Sequence, residues 1–189
     1  MSLFSAVAMA PRDPILGLNE QYAADPNPQK VNLGVGVYFD DNGKLPLLQC
    51  VQAAEKALMD TPTARGYLPI DGIAAYDNAV KALVFGADAE PVTSGRVATV
   101  QAIGGTGGLK IGADFLHKLN PNAKVLISDP SWENHRAIFQ NAGFEVDTYA
   151  YYDAAKRGVN FDGMLQSPRS AAPGTIAVLH ACRHNPPGY

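Results

Sequence analysis

Beyond Gly95 the chain alternates strand-length apolar runs with segments of helical period, and this alternation restricts the fold more than any other feature of the sequence. Val97 to Ile103 reads as a buried strand, Leu109 to Leu119 as a helix, and Lys124 to Ser128 as a second strand. Ser131 to Ala142 reads as a helix closed by Gly143, Phe144 to Tyr149 as a strand, and Thr175 to His180 as a further apolar run of strand length. Strands separated by helices need crossover connections, which produce a mostly parallel sheet with flanking helices. The expected class is α/β. In such sheets ligands settle beyond the carboxyl ends of the strands, so the residues just after each strand are where chemistry is sought.

Ahead of Gly95 the pattern differs. Met1 to about Leu45 holds Pro11, Pro14, Pro26 and Pro28 and one β-rich run, Val31 to Phe39, and reads as an extended arm. From Pro46 the residues Leu47, Leu48, Val51, Ala54 and Leu58 recur at helical spacing until Thr61-Pro62 stops them. Ile73, Tyr76, Val80, Leu83 and Val84 make a second amphipathic helix, with Asp71 as candidate cap and Gly86 as terminator.

With 189 residues and 47% hydrophobic content, the chain can bury one substantial core. A net charge of -3 with both signs interspersed leaves no tract to follow nucleic acid or an anionic bilayer. No apolar stretch approaches the roughly 20 residues of a spanning helix. Cys50 and Cys182 lie far apart and fit neither a disulfide framework nor a metal knuckle, which suits a reducing compartment. A soluble, cytoplasmic protein is expected.

Three loops at strand ends could carry chemistry. Gly104-Gly105-Thr106-Gly107-Gly108 offers exposed amides and a hydroxyl suited to a phosphate. It matches neither the dinucleotide fingerprint nor a Walker A loop, and a flexible glycine turn is the competing reading. Ser128 to His135 contains Trp132, whose flat face could receive a planar heteroaromatic ring or simply pack in a core, and His135, which could orient a buried carboxylate. His180 to Gly188 contains Asn185, able to donate to a ring oxygen; His180, Cys182 and His184 are a rival zinc set without an evident fourth ligand. Gly36, within Asn32 to Tyr38, could present its amide to a carboxylate, and Tyr67 sits in a turn between helices.

In order along the chain, VNLGVGVY, YLPIDG, VATVQAIGGTGGLKIGADFL, ISDPSWENHRAIFQNAGFEVDTYAYYDA and HNPPG resemble the pyridoxal-phosphate-dependent, fold-type I aminotransferases of class I, in the aspartate and aromatic branch. The resemblance runs from about Asn32 to Gly188. It implies residues 1–45 as an arm and part of a small domain, and 46–189 as part of the large cofactor-binding domain. It implies pyridoxal 5'-phosphate held at its phosphate by Gly104, Gly105 and Thr106, with Trp132 against the ring and Asn185 on the ring oxygen. His135 would support the carboxylate facing the ring nitrogen. Gly36, with Trp132 and Asn185, would bind the substrate carboxylate. Tyr67 would reach the cofactor phosphate of a partner in a homodimer embraced by the Met1 to Pro14 arm. The implied reaction moves an amino group between an aromatic amino acid or aspartate and a 2-oxo acid.

The chain departs from the family pattern at Glu133, Arg183 and Pro187. None of its lysines, Lys81, Lys110, Lys118, Lys124 and Lys156 among them, stands in the family's serine-rich context for the Schiff-base lysine. A chain without that residue is expected to be inactive alone: a truncated or pseudogene-like product, or a non-catalytic module that binds phosphate or pyridoxal phosphate.

Overall fold

The computed structural model describes residues 3–13, 16–32, 34 and 36–186. Its contacts divide the chain into two compact units, Met1–Arg65 and Gly66–Tyr189.

The first unit contains helices α1 (Leu16–Ala24) and α2 (Gln49–Asp60). The first of these corrects the reading of this stretch as wholly extended. Its start is set by Asp13, whose Oδ1 accepts the Leu16 amide at 2.7 Å. Periodicity gives no sign of it because the apolar residues of LGLNEQYAA form no stripe. The described part of Val31 to Phe39 enters no ladder and forms no strand. Asn32 folds back locally instead: its Oδ1 accepts the Gly34 amide at 2.9 Å, and its Nδ2 donates to Asn19 Oδ1 at 2.9 Å. The α2 helix ends where expected, the Thr61 amide closing on Ala57 O at 3.1 Å, but buries none of its residues.

In the second unit α3 (Ala74–Phe85) and α4 (Glu90–Thr93) precede α5 (Gly104–Leu119), β1 (Lys124–Asp129), α6 (Glu133–Asn141) and β2 (Glu145–Ala150). A hairpin of β3 (Tyr152–Asp153) and β4 (Gly158–Val159), then α7 (Phe161–Arg169) and β5 (Ile176–Ala177), complete it. The main sheet has the order β2-β1-β5 and is parallel throughout, with Val125 opposite Val146 on one side and Ile176 on the other. The expected α/β class with flanking helices is realised.

Its core follows from the pleat, which sends alternate side chains of β1 to opposite faces. Val125 and Ile127 pack with Ala113 of α5, Ile138 and Phe139 of α6, and Val146. Leu126 faces the other way, onto Tyr149, Tyr151 and Met164 of α7. A strand covered on both faces is apolar at its centre, as Val125, Leu126 and Ile127 are.

Several boundaries differ from the sequence reading. Val97 to Ile103 forms no strand, because no neighbour among the described residues offers it a ladder. Thr175 to His180 pairs only at Ile176–Ala177, extended by the Val178 amide on Leu126 O at 2.9 Å. Asp71 does not cap α3; the capping acceptor is distant, Gln101 Oε1, which takes the Ile73 amide at 3.0 Å. Gly86, with φ of 89°, ends α3 as expected. And α5 begins at Gly104, so the glycine segment is the first turn of the helix rather than a loop ahead of it.

Candidate functional site

At its start α5 lacks a side-chain cap on Ile103, and its first internal bond runs from the Gly107 amide to Ile103 O at 3.2 Å. The amides of Gly104, Gly105 and Thr106 therefore have no partner within the helix, and the helix dipole adds partial positive charge there. A Cβ built on Gly104 or Gly105 would meet nothing within 4 Å, so the space over these donors is open. Gly104 has φ of 64°, a conformation that glycine adopts without cost. After α5 the chain turns between Asn120 and Ala123 and returns as β1, so the start of the helix lies at the carboxyl edge of the sheet.

The loop after β1 leaves that same edge through a cis Asp129-Pro130 peptide. Trp132 precedes α6 and meets His135 edge to face, with ring centroids 5.3 Å apart and planes at 88°. It lines a cleft of about 250 Å³ with Ser128, Asp129, Arg136 and Thr148. Ser128 is buried there. His135 is also buried, its Nδ1 2.9 Å from Ser131 Oγ. Burial holds the His135 imidazole below its ordinary pKa, and the neighbouring His180 and His184 push it the same way.

The loop after β5 folds onto this one. His180 Nδ1 lies 3.0 Å from His184 Nδ1, and His184 Nε2 lies 3.3 Å from the carbonyl oxygen of Pro130. The His184 ring stacks on Tyr151 at 3.6 Å, and His180 sits 5.0 Å from His135. Arg183 takes φ of 50°, a left-handed turn costing about 1 kcal/mol in a non-glycine residue, and Asn185 follows it, exposed. Trp132 and Asn185, predicted separately, thus stand on two loops tied together by histidines. Sequence reasoning weighed those histidines as zinc ligands. Cys182 is exposed, and among the described residues no group of three His, Cys, Asp or Glu side chains is placed to hold a metal ion.

Tyr67 is completely exposed. Its turn is fixed by Gly72, whose amide donates to Pro69 O at 3.0 Å, and by Gln101, whose amide donates to Asp71 O at 2.9 Å. Gln101 is a positioning residue that no sequence signal singles out. Gly36 belongs to the first unit and has open space above its Cα. Leu33 and Val35 of the same run, together with Pro14, Pro187 and Gly188, lie outside the described residues. A larger cleft of about 710 Å³ opens at the amino ends of β1 and β2, where Lys124 pairs with Glu145 at 2.7 Å. It lies at the wrong edge of the sheet for the loops above.

The family model "Aminotransferase class I and II" matches residues 28–189. The chain belongs to that aminotransferase family. It is 62% identical over 188 residues to an aspartate aminotransferase of Pseudomonas aeruginosa, covering 100% of this chain and 47% of that protein. To the aromatic-amino-acid aminotransferase of Escherichia coli it is 46% identical over 187 residues, covering 98% of this chain and 47% of the relative. A crystal structure of the Burkholderia pseudomallei aromatic-amino-acid aminotransferase, covalently bound to pyridoxal phosphate, superposes with a TM-score of 0.93 at 66% identity. That match covers 98% of this chain and 47% of the other. This aminotransferase-family chain spans about half the length of the curated relatives it matches.

Proposed function

We infer that the chain forms the cofactor-gripping portion of an aminotransferase that exchanges an amino group between aspartate or an aromatic amino acid and a 2-oxo acid. Pyridoxal 5'-phosphate, when bound, supplies the electron sink for that exchange. The residues of this chain bind and orient it. The observation that carries the reading is the uncapped start of α5, open above Gly104 and Gly105, at the same sheet edge as the Trp132 cleft.

The donor set fits the group. Three helix-end amides and the Thr106 hydroxyl suit a phosphate dianion, which replaces the missing cap. Trp132 offers a flat face for the ring. Asn185 carries an amide able to donate to the ring oxygen, and neutral His135 holds the carboxylate that faces the ring nitrogen. Gly36 offers its amide to the substrate carboxylate. Tyr67, completely exposed, is suited to reach the cofactor phosphate of a second subunit in a homodimer. In this reading residues 46–189 belong to the cofactor-binding domain, and 1–45 to the arm and small domain. Two exposed free cysteines agree with a cytoplasmic setting, and among the described residues no helix is long and apolar enough to cross a membrane.

Residues 1–189 alone are proposed not to turn over. A lysine that attacks a carbonyl must be readily deprotonated, which burial or a neighbouring cation achieves. Four of the eight lysines, Lys56, Lys110, Lys124 and Lys156, are instead paired with Asp60, Asp114, Glu145 and Asp153. The hydrogen bond and charge of Glu145 raise the Lys124 pKa, against the needed direction. Titration with pyridoxal phosphate followed by borohydride reduction tests both parts. Saturable binding that dialysis reverses, with no adduct after reduction, is the expected result. A stoichiometric adduct at one lysine contradicts the inactivity, and an absence of saturable binding contradicts the cofactor reading.

A further inference from the structure

The bonds between the two loops determine where the protons of their histidines reside. A backbone carbonyl can only accept, so the 3.3 Å approach of His184 Nε2 to Pro130 O requires a proton on Nε2. His184 is buried, at 4% exposure, and none of its hydrogen-bond partners is a carboxylate that could offset an imidazolium charge. It is therefore neutral, and its Nδ1 carries a lone pair. The 3.0 Å contact between the two Nδ1 atoms then has one solution: His180 Nδ1 donates and His184 Nδ1 accepts. His180, donating from Nδ1, keeps an unprotonated Nε2, and among the described residues that buried atom has no partner.

We propose that His184 and His180 are positioning residues: neutral His184 ties the Asn185 loop to the Pro130–Trp132 loop through its Nε2 proton and fixes His180 in the tautomer whose Nε2 bears none. That both loops face one ligand rests on the function proposed above; the proton assignment rests on the bonding geometry alone. Without this link the ring contacts with Tyr151 and His180 are left to hold His184 in place. The ring must supply a donor at one end and an acceptor at the other, a pairing neutral imidazole provides.

Nitrogen-15 NMR of histidine-labelled chain at neutral pH reads the tautomers directly. Expected are a pyrrole-type Nε2 and pyridine-type Nδ1 for His184, and the reverse for His180. A doubly protonated His184, or the opposite tautomer in either ring, overturns the proposal. Variants supply a second readout through Trp132, the chain's one tryptophan. His184→Gln retains a donor at the reach of Nε2 and should keep the native emission and pyridoxal phosphate affinity. His184→Ala should shift the emission to the red and weaken binding roughly three- to tenfold, the scale of one lost hydrogen bond. Native emission in His184→Ala, or equal loss in both variants, refutes the positioning role; should the alanine variant not fold, the tautomers and the glutamine variant still decide. If the wild-type chain binds no pyridoxal phosphate while the tautomers are as assigned, the proposed function fails and the histidine link between the loops stands.

Discussion

Gly72 has φ of 105°, and a Cβ added there would fall 2.3 Å from Gln101 Cβ. Gly72→Ala therefore meets both backbone strain and a clash, and should cost about 2 kcal/mol or more in urea unfolding. Gly66→Ala, with nothing within 4 Å of its Cβ, should stay within about 0.5 kcal/mol. The histidines make a second prediction at this scale. His135 and His180 are both held below the ordinary value of 6.5, first by burial and then by neighbouring imidazoles. An unfolded histidine takes up its proton first as pH falls, so stability is full above 6.5 and is lost as pH drops through the lowered native values. Unfolding midpoints measured from pH 8 to pH 5 should be level and then decline; a rise toward acid would contradict the burial of neutral rings. Trp132, His135, His180 and His184 were legible in the sequence as single candidates. Their mutual bonds were not, since the partner of His184 lies 54 positions away at Pro130.

Among the elements, the start of α5 is the most informative error. Reading the helix from Leu109 follows propensity, because each glycine costs about 1 kcal/mol in a helix. Packing overrides it: Leu109 and Ala113 dock on the core of the sheet and hold the whole segment helical. The Val97 to Ile103 run illustrates the opposite failure, for an apolar run of strand length makes no strand without a neighbour to bond. The β1, α6 and β2 succession was legible because its period, its Gly143 stop and its buried strand all agree. Thr106 tests the role of the helix start. Thr106→Val should leave unfolding nearly unchanged and weaken pyridoxal phosphate binding by about three- to tenfold. Thr106→Asp should add up to about 1 kcal/mol of stability through the dipole, while its carboxylate repels the phosphate and lowers affinity further. If aspartate leaves binding intact, the phosphate does not sit there.

On the scale of the molecule, apolar side chains are left facing water. α2 buries nothing, and Leu83, Ile103, Phe115 and Leu119 are exposed at 85%, 94%, 60% and 67%. Surfaces of this kind seek partners. Light scattering of residues 1–189 at micromolar concentration should report association; a persistent monomer would contradict the prediction. The α/β class and its parallel sheet could be read from the order of the elements, whereas the assembly of the site depended on contacts that cross from loop to loop. The central claim is that the start of α5 and the Trp132 cleft grip one phosphorylated aromatic ring, and quenching of Trp132 emission by pyridoxal phosphate tests it most directly. The account predicts saturable quenching that inorganic phosphate relieves by competition; quenching that is absent, or indifferent to phosphate, would contradict it.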